Sequence, residues 1–368
     1  MNQHFVKSAA LLLAAGLLTS AATAQSVTVL PFDPSEGHGT GVYGLSSDGL
    51  TVAGIQGEGV GNRVHVFRWT AAAGLYDITA NENGFFSGLG SVAISGDGHT
   101  IAAQAGYRWT GPGTGQFIGN LHFPNNSDSN PFALSSNGNV IVGTDHYSPG
   151  GMGDSTQGYR WTASGGYQGL PFLQASDCTA DGNKVLGLYS NNHTGIWDAA
   201  TGLVTPLAPL PGDPTGFTGG YAMNPAGNIV VGITGNQNLP TIWRNGVPES
   251  LGYAPNGIGN SGEVGLTPDG SIVLGKVGLQ NAGRATIWTQ ATGNLLATDY
   301  LALFGITIPG SWNLVDAKGV SDDGRTFLFQ AFGPVPGGFT STGILVTIPA
   351  PATLAIGGVA LLGARRRR

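Results

Sequence analysis

The chain has 368 residues, of which 41% are hydrophobic, only 10% are charged and 63 are glycine, and its formal net charge is −6. That balance excludes a helical bundle and a disordered chain, and points to turn-rich β-structure. A single cysteine, Cys178, excludes an intramolecular disulfide, so stability has to come from a packed core that a chain of this length can build.

Residues 1–24 read as a secretory signal. Lys7 supplies the positive start, Ala9 to Leu18 is apolar, and Ala22-Thr23-Ala24 offers the small-residue cleavage site, leaving Gln25 as the first mature residue. Once Lys7 and the four terminal arginines are set aside, ten cations face 21 acids, a net −11. Such a surface repels nucleic acid, which needs clustered cations.

A short strand, "SVTVLPF" (26–32), precedes a repeating unit. The unit runs "GLSSDGLTVAG" (44–54), "AISGDGHTIAA" (93–103), "ALSSNGNVIVG" (133–143), "DCTADGNKVLG" (177–187), "AMNPAGNIVVG" (222–232), "GLTPDGSIVLG" (265–275) and "GVSDDGRTFLF" (319–329). Its seven turn glycines, at 49, 98, 138, 182, 227, 270 and 324, lie 40 to 54 residues apart, the spacing of propeller blades. Three residues before each glycine stands a short polar residue (Ser46, Ser95, Ser135, Thr179, Asn224, Thr267, Ser321), expected to bond the backbone two residues on and open the turn. The residue before the glycine is Asp in five copies, Asn137 in one and Ala226 in one. The glycine supplies positive φ, which predicts a hairpin with a bulge. The core columns are Leu45, Ile94, Leu134, Cys178, Met223, Leu266 and Val320, facing Val52, Ile101, Ile141, Val185, Val230, Val273 and Phe327. Cys178 therefore reads as a small apolar core residue.

A third strand with an aromatic anchor follows each hairpin: "FRWT" (67–70), "YRWT" (107–110), "YRWT" (159–162), "GIWD" (195–198), "TIWR" (241–244) and "TIWT" (286–289). In the seventh copy, "GILV" (343–346), Leu345 takes the tryptophan place. A fourth strand follows in the other copies, as in "LYDI" (75–78) and "YQGLPF" (167–172), but the last copy runs straight into Pro349. The expected fold is all-β: a seven-bladed β-propeller over residues 25–348, with the N-terminal strand completing the last blade. An open solenoid would need capping repeats, and a sandwich would not need seven equivalent hairpins. The long apolar connection at 294–312 is expected to form a short surface helix inserted before the last blade.

The tail, residues 349–368, joins Pro349-Ala350-Pro351 to an apolar run, Ala352–Ala364, and the cluster Arg365, Arg366, Arg367 and Arg368. Thirteen helical residues span about 20 Å, short of the ~30 Å hydrocarbon core. Arginines left on the cytoplasmic side halt export. A transient inner-membrane anchor is expected over 352–364.

The "S-x-D-G-x-x-V-x-G" hairpins and "FRWT" strands resemble those of the extracellular HAF-repeat proteins, and the resemblance covers the mature region. The tail resembles a PEP-CTERM sorting signal, with Ala350 where that motif has glutamate. The resemblance implies secretion machinery and an exosortase-like processing enzyme as partners, and a destination at the cell surface or in the extracellular matrix.

Catalytic and metal signals are sparse. The seven histidines show no paired metal spacing, the repeat aspartates sit where turns want them, and no calcium loop, P-loop or dinucleotide fingerprint appears. "GNSGEV" (259–264) lacks a supporting His and Asp framework. No catalytic residue, metal or cofactor is assigned. One column stands out: Arg68, Arg108 and Arg160 precede the tryptophan where later copies have Ile196, Ile242, Ile287 and Ile344. These arginines are expected either to stack or pair between blades, or to form a patch for acidic extracellular polysaccharide. The functional expectation is a non-enzymatic binding or scaffold module. The alternative is a propeller-type glycan lyase or hydrolase with its site at the central channel, where two close carboxylates would favour glycosidase chemistry.

Overall fold

A computed structural model of the chain describes residues 25–31, 39–57, 63–79, 86–87, 90–111, 113–122, 128–148, 155–190, 193–254, 260–278, 283–335 and 338–349. The expected signal segment and nearly all of the tail lie outside these residues.

Seven antiparallel sheets follow the seven repeats. Strand β1 (Ser26–Val29) comes first. Blade 1 holds β2 (Thr40–Leu45), β3 (Thr51–Gly57), β4 (Arg63–Thr70) and β5 (Gly74–Asp77), with β6 (Phe86–Ser87) beside β4. Blade 2 holds β7 (Val92–Ile94), β8 (Ile101–Ala103), β9 (Tyr107–Trp109) and β10 (Gln116–Phe117). Blade 3 holds β11 (Asp128–Leu134), β12 (Val140–Tyr147), β13 (Ser155–Thr162) and β14 (Gly166–Gly169). Blade 4 holds β15 (Gln174–Cys178), β16 (Lys184–Ser190), β17 (His193–Asp198) and β18 (Val204–Pro206). Blade 5 holds β19 (Thr218–Met223), β20 (Ile229–Thr234), β21 (Leu239–Arg244) and β22 (Val247–Ser250). Blade 6 holds β23 (Asn260–Leu266), β24 (Ile272–Val277), β25 (Arg284–Thr289) and β26 (Gly293–Leu296), followed by helix α1 (Ala297–Ala302). Blade 7 holds β27 (Asn313–Val320), β28 (Thr326–Val335) and β29 (Gly338–Thr347). Strand β1 pairs antiparallel with β29 in the same sheet, with Ser26 opposite Thr347. The first strands of the blades contact one another in sequence, and β27 meets β2, so the seven sheets form a ring. The fold is a seven-bladed β-propeller.

The facing core columns pair in all seven hairpins, from Leu45 opposite Val52 to Val320 opposite Phe327. Every residue of the second column is buried, which explains the demand for large aliphatic or aromatic side chains there. The turn glycines take φ between 66° and 75°, a region closed to most L-residues.

The turn itself is built differently from the expectation. Ser46 does not bond the backbone two residues on: its hydroxyl accepts the N–H of Thr51, five residues later, and donates to the Asp48 side chain. Asp48 makes the two-residue bond, accepting the N–H of Leu50. The same pattern recurs around Ser95, Ser135, Thr179, Thr267 and Ser321. Blade 5 has Ala226 in place of the aspartate, and there Asn224 does both jobs, its Oδ1 accepting the N–H of Asn228 (3.0 Å) and of Ile229 (2.9 Å).

Two further expectations are corrected. In blade 7 the tryptophan place belongs to Val346, which pairs with Phe327 as Trp69 pairs with Val52. Leu345, opposite Leu328, takes the preceding column instead of Ile344. In the connection 294–312, the first residues belong to strand β26, and only six form helix. Ala297, Tyr300 and Leu301 of α1 are buried in the core shared with blades 6 and 7, so this is not a purely surface helix.

Candidate functional site

The first strands of the blades surround a central cavity of about 400 Å³. One end is drawn together by the seven turns. The backbone N–H of Ser47 bonds the carbonyl of Gly96, Asp97 that of Ser136, Ser136 that of Ala180, Ala180 that of Pro225, and Asp322 that of Ser47. Pro225 has no N–H to pass on, and the Asn224 side-chain amide takes over, donating to the carbonyl of Pro268 at 2.8 Å.

Above this collar, six first strands carry a β-bulge at the same place, six residues before the turn glycine. The register shifts fall between Val42/Gly44, Pro131/Ala133, Ala175/Asp177, Gly220/Ala222, Glu263/Gly265 and Ala317/Gly319. A bulge leaves its extra residue outside the ladder and re-aims the side chain. The extra residues are Tyr43, Phe132, Ser176, Tyr221, Val264 and Lys318, and all six line the cavity. Phe132, Tyr221 and Val264 remain 41%, 38% and 42% exposed. Blade 2 has no such bulge; Val92 pairs directly with Ala103. Lys318 pairs with Asp316 at 2.9 Å, and Asp316 also reaches Lys276.

Two carboxylates line the cavity, Asp177 on blade 4 and Asp322 on blade 7. Both are engaged. Asp177 accepts the N–H of Cys178 and, across the seam, that of Met223, each at 2.7 Å. Burial nevertheless raises its pKa to about 7, because two neutral donors do not replace the lost hydration. Asp322 is also raised, first by burial, while a bond from Ser47 opposes the shift. Beside Asp177, the free thiol of Cys178 is buried in the core; burial and then the adjacent carboxylate push its pKa up, which keeps it unreactive.

The arginine column lies at the seams between blades. Arg68 donates to the carbonyl of Gly98 (3.2 Å), Arg108 to that of Gly138 (3.2 Å) and Arg160 to that of Gly182 (2.8 Å). Each guanidinium thus reaches the turn glycine of the next blade. Arg108 also lies over the Trp161 ring, 5.6 Å from its centroid. Arg244, on the other side of its tryptophan, makes the same link to Gly270. Where the column holds Ile242 or Ile287, the side chain is fully buried in the seam.

Of the residues assigned to processing, Gln25 opens the described chain, its Nε2 donating to the carbonyl of Gly305. Pro349 closes it, after Ile348. Ala22, Ala24, Ala350, Pro351 and Arg365–Arg368 lie outside the described residues. No helix among the described residues is long and apolar enough to cross a membrane. The bulge residues and Asp177 were missed from sequence. Their signal was a column that varies freely inside a repeat whose other columns do not.

No family model matches the chain, and no curated protein matches it. Solved structures do. An oligogalacturonate lyase in complex with manganese aligns over 89% of this chain and 97% of its own, at 11% identity and a TM-score of 0.56. The RRP9 WD40 repeats align over 89% and 99%, at 10% identity and 0.56. U3-55K aligns over 88% and 98%, also at 10% and 0.56. At such identities the likeness is one of fold: this chain shares the β-propeller with a lyase and with WD40 repeats alike.

Proposed function

We propose that this is an exported protein of the cell surface or extracellular matrix, delivered by its C-terminal sorting tail, whose propeller binds extracellular polysaccharide at the central cavity without transforming it. The observation that carries the binding reading is the bulge ring, which turns the rings of Phe132 and Tyr221 into the cavity. Aromatic faces presented in a concave site suit stacking against sugar rings. The engaged state of Asp177 and Asp322, on blades three apart in the ring, argues for binding over acid–base chemistry at this cavity. In the same proposal the N-terminal strand closes the ring as the fourth strand of blade 7, and α1 is a short insertion sealing the edge between blades 6 and 7. The start and end of the mature domain then lie side by side, at the base of the tail.

Two measurements on one expression system test this. Cells expressing the full chain should carry it in the envelope or matrix, and removal of residues 349–368 should abolish that retention; identical fractionation of both would overturn the delivery route. Purified residues 25–348 should bind members of a polysaccharide panel, at least tenfold more weakly after Phe132→Ala with Tyr221→Ala, and release no fragments. Shortened chains in the product mixture would establish the lyase or hydrolase alternative instead.

A further inference from the structure

The seams between blades differ in one respect. At four of them a guanidinium reaches from the third strand of one blade to the turn carbonyl of the next: Arg68 to Gly98, Arg108 to Gly138, Arg160 to Gly182 and Arg244 to Gly270. Three seams lack it: after blade 6 the two positions hold Ile287 and Thr289, after blade 7 Leu345 and Thr347, and between blades 4 and 5 one of them holds a carboxylate. Ile196 stands before Trp197, and Asp198 stands after it, where blade 5 has Arg244. The corresponding turn carbonyl is that of Gly227. A cleft of about 300 Å³ occupies this seam, lined by Ile196, Asp198, Gly227, Trp243, Asn228 and Lys184.

We propose that this cleft is a binding site for an arginine side chain of a partner polypeptide, which completes from outside the clamp that the chain supplies internally at four other seams. Three features suit it to a guanidinium. Its walls are Ile196, which takes the arginine's place in the column, and Trp243, the counterpart of the Trp161 ring that Arg108 overlies. The Gly227 carbonyl is the counterpart of the acceptors at Gly98, Gly138, Gly182 and Gly270. Asp198 adds a carboxylate at the mouth, which the four filled seams do not need. One Asp198 oxygen accepts the N–H of Ala200. Asp198 stands opposite Lys184 in the strand register, yet the two form no ion pair. The Lys184 stem instead packs over Gly227, 3.2 Å from where a β-carbon there would stand. A planar fork donates to a carbonyl and a carboxylate from separate nitrogens in fixed geometry, whereas a lysine offers both acceptors a single point charge. The net negative charge of the mature region favours a cationic partner.

The probes are N-acetyl-arginine methylamide and its lysine counterpart, titrated into purified residues 25–348 by protein-observed NMR and soaked into crystals. The arginine probe should saturate with its guanidinium at Gly227, and bind at least fivefold more tightly than the lysine probe. Asp198→Asn, a change at the cleft mouth, should weaken it about tenfold, the loss of one charge-assisted bond. Ile196→Arg should place an internal guanidinium at Gly227, abolish probe binding and raise the melting temperature. Equal binding of the two probes, or arginine binding unchanged by Asp198→Asn, would overturn the proposal even if Ile196→Arg failed to fold. Both results are independent of the central cavity, whose polysaccharide binding Asp198→Asn should leave unaltered.

Discussion

Arg68, Arg108 and Arg160 show how one residue type can look like a ligand patch in sequence and hold a seam in space. Each guanidinium crosses to the next blade's turn carbonyl, and the isoleucines of the same column cover the same seam with hydrocarbon. A charge-assisted bond to a carbonyl contributes about 1.5–3 kcal/mol. Arg160→Ala should therefore lower stability by about 2 kcal/mol in a urea melt, and leave the affinity for acidic polysaccharide unchanged. Unaltered stability with weakened binding would favour a ligand patch over a seam contact. Gly143 makes a similar point about small residues. A β-carbon there would meet the Asn130 carbonyl and the Tyr159 hydroxyl, so this position is small because first-strand backbone and a third-strand ring both lie across it. In blade 7 the exchange is reversed: Phe329 supplies the ring opposite Ile344.

Among the elements, β1 is the one whose place depends on chain ends rather than on its own repeat. Its residues Val27 and Val29 pack against the core of blades 6 and 7, and the fully buried Leu30 packs with Val42, Trp69, Leu328 and Leu345 across the seam between blades 7 and 1. Thr342 and Gly343 also hold Leu30 through its carbonyl and N–H. Deleting residues 25–31 would expose the β29 edge and open that seam. The deletion should lower the melting temperature by well over 10 °C, and Leu30→Ala alone should cost about 2–4 kcal/mol. A synthetic peptide of residues 25–31, added in excess, should restore part of the loss; no effect of the deletion would refute closure by this strand.

For the whole molecule, stability against pH is set by two opposed groups of carboxylates. The turn residue Asp181 is held below its ordinary pKa, first by the Thr179 hydroxyl, and Asp269 likewise, first by the Ser271 N–H. Their contribution is present above about pH 4 and is lost as pH falls through their depressed values. Asp177 works in the other direction. Its pKa is raised to about 7, so its contribution is complete below about pH 4 and is lost as pH rises through 7. Melting temperature should accordingly peak in mildly acidic buffer and decline toward pH 8. Asp177→Asn, which stays neutral, should flatten the decline between pH 4 and 8; an unchanged slope would show that Asp177 does not titrate there.

The number of blades, the places of the turns and the facing core pairs were determined by the sequence itself. They depend on neighbours within about ten residues, and seven repetitions separate each requirement from chance. The last blade marks the limit of that reading. "GILV" offers three adjacent aliphatics that are interchangeable as sequence, and only the ladder with β28 assigns Val346 to the tryptophan place. The bulges were equally hidden, because an extra residue in a strand has no composition of its own. Tertiary structure alone decided that Tyr43, Phe132 and Tyr221 share one cavity, that Asp177 reaches Met223 on the next blade, and that the seam between blades 4 and 5 has no arginine at its turn carbonyl. Each of these joins residues from different repeats, and their meeting depends on ring closure, a constraint that no local stretch of chain contains.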